Sequence, residues 1–313
     1  MKLSKELTLV STVNMPHERW LEIRSKTIGG SDAAAVVGLN AYVSPYALWA
    51  EKTSKVAGFG GNLATEVGTY MEDFIARKFA SETGKKVRRC NNIIYNPLYP
   101  WAHVNIDRDI VGENAGLECK YTDSINLKKY KNGEYPENFY APCVHCMAIT
   151  GAEKWYLAVL IGNKDFKRFC IERDEDEINA LMEAEGEFYA HVKNNTPPPA
   201  DGSDSTSDTI STLFPDSNGE TVDMFAYDAI LTQYTAISKQ IKELDNLKNE
   251  AANKLKSFLG EASRGESDRF KVTWGSTTRE TFDLKQFITD YPNIDLSNYY
   301  RTTSYRTLKV SEK

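Results

Sequence analysis

Three strand-like runs crowd together between Trp101 and Tyr121, and this spacing constrains the fold more than any other feature of the chain. The runs are Trp101 to Ile106, Asp109 to Val111 and Gly116 to Tyr121. Only a turn separates each from the next. A parallel crossover needs a dozen residues or more, so neighbouring runs must form an antiparallel meander. That pairing brings Asp107, Glu118 and Lys120 together, two carboxylates beside one ammonium. Alternation along the last run puts Glu118 and Lys120 on one face and turns Cys119 away.

This group suits metal-assisted phosphodiester hydrolysis. The reaction needs an activated water and compensation for charge growing on the phosphate, and hard divalent cations supply both through carboxylate, carbonyl and water oxygens. Asp107 and Glu118 are candidate ligands, and the backbone carbonyl of Cys119 lies between Glu118 and Lys120. Lys120 is placed to orient the attacking water and screen charge. Asp109 competes with Asp107 for the ligand role; Asp107 is preferred because it directly ends the apolar run Val104-Asn105-Ile106. Glu-x-Lys alone is a frequent pattern, equally at home in a solvated hairpin. A helical acid upstream strengthens the catalytic reading. Residues 65–83 carry Val67, Met71, Phe74, Ile75 and Phe79 at helical spacing, ended by Gly84, with Glu72 at the edge of the stripe.

Other elements follow from similar signals. Pro16 to Arg24 is a short helix, and Gly29-Gly30-Ser31-Asp32 caps the next, from Asp32 to Val37. Ser44-Pro45 starts another, with proline at the favoured first position. Val87 to Arg89 and Ile93 to Tyr95 are further strand-like runs. Glu137 to Thr150 is a helix stopped by Gly151, Trp155 to Ile161 a buried strand that pairs with Lys167 to Ile171, and Glu175 to Val192 another helix. The order suits an α/β or α+β domain with a mixed central sheet. Pro197-Pro198-Pro199 and the Gly, Ser and Asp after it have linker chemistry, so a boundary is expected there, dividing residues 1–200 from 201–313. Beyond it a long helix, Asp228 to Leu259, repeats apolar residues at three- and four-residue spacing. It either packs on the main domain or makes a coiled-coil-like contact with a partner. Phe270 to Trp274 and Glu280 to Phe282 are expected to form a terminal hairpin.

A second constellation is Arg24 with Ser31. The Gly-Gly-Ser turn offers N–H groups and a hydroxyl to an anion, and Arg24 adds a bidentate phosphate contact; a plain helix cap is the simpler alternative. Lys and Arg total 38 against 44 Asp and Glu, for a net charge of -6, so the chain is not a basic nucleic-acid coat. Acidic metal sites contribute to that balance, and DNA contact needs basic residues on only one face. No apolar run spans a bilayer and no secretory signal is visible, so an intracellular, cytoplasmic location is expected. The five cysteines suit free thiols. Cys143-Val144-His145-Cys146 alone has metal-like spacing, and no second pair accompanies it.

In order and spacing, Arg24, Ser31-Asp32-Ala33-Ala34, Gly68-Thr69-Tyr70-Met71-Glu72, Asp107 and Glu118-Cys119-Lys120 resemble the YqaJ-type viral recombinases. These are relatives of phage lambda exonuclease in the PD-(D/E)xK nuclease superfamily. The resemblance covers about the first two-thirds of the chain and implies a restriction-endonuclease-like core, flanked by helices. It implies a Mg²⁺- or Mn²⁺-dependent exonuclease that degrades the 5′ strand from duplex DNA ends in a phage or prophage setting. The 3′ overhang would pass to a RecT-like annealing protein, and the chain would be a homo-oligomer, as in relatives that form trimeric rings. Carried over, Asp107, Glu118 and the Cys119 carbonyl hold metal, Lys120 is the catalytic lysine and Glu72 the helical acid. Arg24, Ser31 and Asn105 form the pocket for the 5′-phosphate. One departure stands out. The Gln-x-Gln run usual on the following helix is replaced by Pro142 and Val144, with His145 adjacent. A structure-specific endonuclease, or an end-binding adaptor with impaired catalysis, are the alternative readings.

Overall fold

The computed structural model describes residues 1, 3–58 and 60–311; the side chains of residues 126, 127, 131 and 132 are outside the description. The chain forms two units, Met1–Phe214 and Pro215–Lys313. The division falls after a helix that follows the triple proline, because that helix is tied to the first unit. Thr206 donates its hydroxyl to Ser44 Oγ at 2.8 Å, and the Ser44 N–H donates to Ser205 Oγ at 3.1 Å.

The first unit opens with strand β1 (Thr8–Ser11), helix α1 (His17–Ser25), the two-residue β2 (Ile28–Gly29), α2 (Gly30–Val36) and α3 (Pro45–Lys52). Ser44 caps α3 by accepting from the Ala47 N–H at 3.1 Å, with Pro45 behind it as the sequence suggests. Helix α4 (Leu63–Thr83) ends at Gly84, whose φ of 71° is the left-handed value that favours glycine. Then come β3 (Val87–Arg88), β4 (Asn92–Tyr95), β5 (Ala102–Asn105), β6 (Arg108–Ile110) and β7 (Ala115–Thr122), followed by α5 (Glu137–Thr150), β8 (Lys154–Ile161), β9 (Asp165–Glu172), α6 (Glu175–Asn194) and α7 (Asp204–Leu213).

Two sheets result. The central one has the order β3-β6-β7-β8-β9 and is mixed: β7 and β8 are parallel, joined through α5, while the other pairs are antiparallel. The smaller sheet has the order β1-β4-β5-β2. Helix α4 covers one face of the central sheet, where Ile75, Ala76 and Phe79 pack on Ile110, Leu117 and Tyr156. Helix α5 lies in the core on the other side, with Val144, Met147 and Ile149 clustered with Trp155, Leu157 and Val159. This is the helix-flanked mixed sheet expected from the sequence. Among the described residues no helix is long and apolar enough to cross a membrane.

Gly116 shows how tightly the centre is fitted. A Cβ there would lie 2.3 Å from Cη2 of Trp155, which is fully buried. A rigid indole has no room to yield, so Gly116→Ala should cost at least about 1–3 kcal/mol. Thermal unfolding measures it, and an unchanged melting temperature would refute the packing described.

The second unit holds α8 (Asp228–Leu259), β10 (Arg264–Glu266), β11 (Lys271–Thr273) and α9 (Leu284–Asp290). A hairpin is present, but with a different partner from the one expected: β11 pairs with β10 upstream, and residues 280–282 form no strand. The local turn decides this. The Ser267 N–H donates to the Phe270 carbonyl at 2.9 Å, and the Phe270 N–H returns to Ser267 Oγ at 3.1 Å.

Candidate active site

The central sheet opens beside β7. Strand β6 pairs with β7 only at Gly116 and Leu117, whereas β8 follows β7 along its whole length. Past Leu117 the vacated flank is taken by the Asp107 side chain, whose Oδ2 accepts from the Cys119 N–H at 2.8 Å. The N–H and C=O of one strand residue point to the same side. The Cys119 carbonyl therefore faces the notch that Asp107 enters. The Cys119 side chain lies on the α4 side of the sheet, with Leu117 and Tyr121.

Glu118 and Lys120 project from the opposite face. Lys120 Nζ is 2.6 Å from Glu118 Oε1 and 5.9 Å from the centroid of the Phe139 ring. Burial works against the Lys120 charge, but Glu118 and Asp107 outweigh it and raise its pKa above the ordinary lysine value. Asp107 is pushed the other way. Burial, and then the neighbouring charges of Glu118 and Glu72, hold its carboxyl well above the usual carboxylate range.

Glu72 arrives from α4 but is not free. Arg108, itself buried, donates from Nη1 to Glu72 Oε1 at 2.5 Å and also holds Asp73 and the Asp107 carbonyl. Arg108 and Asp73 escaped the sequence reading; the Asp107-Arg108 and Glu72-Asp73 doublets were the only hint. Asp109 turns away from the notch and pairs with Arg88 at 2.6 Å. Among the described residues no three His, Cys, Asp or Glu side chains form a ready-made metal cage. A hydrated hard cation keeps several waters and borrows substrate oxygens, so it needs few protein ligands. The donors are all oxygens, so Asp107, Glu118 and the Cys119 carbonyl fit a hard divalent ion.

Arg24 and Ser31 do meet, Arg24 Nη2 donating to Ser31 Oγ at 2.7 Å, with the guanidinium 4.3 Å above the Trp20 ring. Lys52 braces the segment. It donates to the Arg24 and Thr27 carbonyls at 3.0 and 2.9 Å and pairs with Asp32 at 2.7 Å. Nothing in the sequence pointed to Lys52. Behind the turn, a Cβ on Gly29 would sit 3.0 Å from the His103 ring. Burial, aided by the Arg24 charge, lowers His103 to about 3, so its ring is neutral. Asn105 follows two positions later on β5, on the same face and toward Asp107. Its Oδ1 is buried without a hydrogen-bond partner.

Helix α5 presents Phe139 to Lys120, and the Cys143 thiol, one turn on, feels the Glu118 and Lys120 charges. Pro142 and Val144, at the aligned glutamine positions, are buried in the core. Burial raises the Cys143 and Cys146 thiols well above their ordinary value. His145 is wholly buried, its Nε2 donating to the His103 carbonyl and its Nδ1 facing Glu185 Oε1, each at 2.8 Å. It is a core residue and does not replace the missing amides.

Residues 19–153 match the YqaJ-like viral recombinase domain. YqaJ of Bacillus subtilis (strain 168) is 33% identical over 310 residues, which is 97% of each chain. The chain belongs to the YqaJ-like viral recombinase family. Among solved structures it is similar to an alkaline exonuclease from Laribacter hongkongensis, with TM-score 0.48 and 18% identity, covering 57% of this chain and 93% of that one. It is also similar to a phage related exonuclease from Haemophilus somnus 129PT, with TM-score 0.41 and 11% identity, covering 54% and 96%. Within the family match lie Arg24, Ser31, Glu72, Asp107, Glu118 and Lys120.

Proposed function

We propose that this member of the YqaJ-like family is a metal-dependent exonuclease that removes the 5′-terminated strand from duplex DNA ends and leaves a 3′ overhang. The observation that carries this reading is the notch beside β7, where two carboxylates and one main-chain carbonyl face a charged lysine. Similarity to an alkaline exonuclease and a phage related exonuclease accords with it. Asp107, Glu118 and the Cys119 carbonyl would hold Mg²⁺ or Mn²⁺. A divalent ion there supplies activation of water and compensation of phosphate charge. Lys120, kept charged by its carboxylate neighbours, orients the attacking water and offsets charge on the scissile phosphate. Glu72, anchored by Arg108, sets the helix-side wall. In this reading the overhang passes to a RecT-like annealing protein in the host cytoplasm, and ring-shaped assembly around the duplex keeps the enzyme on its track.

Arg24 and Ser31 are the proposed grip on the terminal 5′-phosphate, with Asn105 between that pocket and the metal acids. Digestion of linear duplex with Mg²⁺, comparing 5′-phosphorylated with 5′-hydroxyl ends, tests both halves of the reading. Phosphorylated ends should be preferred, and Arg24→Gln should abolish most of that preference. A charged phosphate contact is worth about 1.5–3 kcal/mol, or roughly 10- to 100-fold. Equal rates on both ends in the wild type would remove the pocket. Cleavage of covalently closed circles would instead favour an endonuclease, and end binding without nucleotide release would favour an adaptor.

A further inference from the structure

The two halves of the proposed phosphate grip are held in different ways. Ser31 opens α2, whose Ala33, Ala34 and Ala35 are buried in the core. Arg24 sits in the last turn of α1, and no side chain of α1 joins any of the three hydrophobic clusters of the first unit. The hydrogen bonds of Arg19, Glu22 and Ser25 stay within the helix and the residue after it. Arg24 lies 4.3 Å over the ring of Trp20, a residue of the same helix, so the guanidinium travels with α1. Lys26 and Thr27 join α1 to β2, which is fixed by its pairing with β5. Each residue brings two soft dihedrals, so a two-residue joint settles where α1 ends and leaves its angle open.

We propose that Lys52 is the positioning residue for recognition of the terminal 5′-phosphate: it locks the joint between α1 and β2 and so sets Arg24 opposite Ser31. This rests on the reading of Arg24 and Ser31 as the phosphate grip. Lys52 comes from α3, whose Tyr46, Leu48, Trp49 and Ala50 are buried, and its own side chain is only 8% exposed. A lysine ammonium has three donors. All three are spent here: on the Arg24 carbonyl at one side of the joint, on the Thr27 carbonyl at the other, and on Asp32 Oδ2 in the first turn of α2. None is left for DNA, so Lys52 acts through the groups it holds. The Arg24 carbonyl lies where helix carbonyls lack a partner in the helix, so the same bond also satisfies the end of α1. Asp32 Oδ2 accepts in addition from the Gly29 N–H at 2.9 Å, which ties the glycine turn to the same ammonium. Burial works against the Asp32 carboxylate, but Lys52 and the Gly29 N–H outweigh it and lower its pKa. A guanidinium displaced by a tilt of α1 would keep its charge and lose the bidentate fit to phosphate.

Digestion of linear duplex by the full chain with Mg²⁺, comparing kcat/KM on 5′-phosphorylated and 5′-hydroxyl ends, tests this role. Lys52→Met keeps the stem and removes all three bonds. Its preference for phosphorylated ends should fall about tenfold or more, the worth of a charged hydrogen bond. The loss should appear as a raised KM on phosphorylated ends, the mark of lost binding. Equal loss on both kinds of end would show a merely structural brace and overturn the proposal. Lys52→Met added to Arg24→Gln should cost no further preference; a further loss would mean that Lys52 acts apart from Arg24, and would also overturn it. Preference lost in Arg24→Gln but kept in Lys52→Met would sink the role of Lys52 and leave the pocket standing. Preference untouched by Arg24→Gln would remove the pocket and the proposal together. Hydrogen exchange supplies a readout independent of nuclease activity. Residues 17–25 should exchange faster in Lys52→Met while residues 45–52 keep wild-type protection, and unchanged exchange over 17–25 would refute the lock. Should Lys52→Met misfold because Asp32 is left unpaired, Lys52→Met with Asp32→Asn removes that charge and carries the same expectations.

Discussion

Lys120→Ala should lower nucleotide release from 5′-phosphorylated linear duplex by about 10²- to 10⁴-fold, the range typical of losing a group that handles the proton or water in the transition state. Geometry sets this expectation. Nζ sits 2.6 Å from Glu118 Oε1, and Glu118 and Asp107 raise its pKa despite burial. With these neighbours the ammonium form is favoured, which suits the water-orienting and charge-screening role of Lys120. Its work is electrostatic and positional, and Lys120→Gln, which keeps length and polarity without charge, should fall nearly as far as alanine. Asp107→Asn should be at least as damaging, since it removes the carboxylate that anchors the notch. Acid-soluble nucleotide measured against time, with Mg²⁺ in excess, decides the matter. Wild-type rates in Lys120→Ala would remove the catalytic assignment altogether.

Glu185→Leu should lower the melting temperature of the first unit by roughly 10 °C, because breaking a buried ion pair costs about 3–5 kcal/mol and a unit of this size loses about 2–4 °C per kcal/mol. His145 and Glu185 are both fully buried, 2.8 Å apart. Burial disfavours the imidazolium, but Glu185 outweighs it and raises the His145 pKa above its ordinary 6.5. A raised histidine pKa means that the folded state binds the proton more tightly than the unfolded chain does. The stabilisation is therefore complete below pH 6.5 and is lost as pH rises through the folded value. Melting temperatures should decline above neutrality more steeply in the wild type than in Glu185→Gln, whose amide can donate to a neutral imidazole. Parallel pH slopes for the two proteins would show that His145 is neutral throughout.

The sequence disclosed whatever is settled locally. Helix α5 spans Glu137–Thr150 and α8 spans Asp228–Leu259, the bounds expected from periodicity and flanking signals. Gly84 and Gly151 end their helices with left-handed φ of 71° because each stop is decided within one turn. Convergence of Asp107 on Glu118 and Lys120 was legible because the turn between β6 and β7 is short; the expected pairing of β5 with β6 does not form, since β5 joins the smaller sheet between β4 and β2. Longer-range partners were hidden. Arg108 reaches Glu72 across 36 positions, and His145 finds Glu185 across 40, through the way α4 and α6 lie on their neighbours. No periodicity encodes such a meeting. Local competition explains the terminal hairpin, since the turn at Ser267 closes within its own strand pair whereas residues 280–282 have no comparable closure.

The vacated flank of β7 also bears on what variation the site can tolerate. Cys119 contributes its N–H and carbonyl to the notch, while its side chain lies on the far side of the sheet with Leu117 and Tyr121. The middle letter of Glu-x-Lys is thus written by α4 packing and not by chemistry. Family members should be free to drift there among small and apolar residues, while the letters on either side stay fixed. A thiol at that position neither reports on catalysis nor exposes it to oxidants, and labelling chemistry aimed at Cys119 would probe the helix interface behind the site.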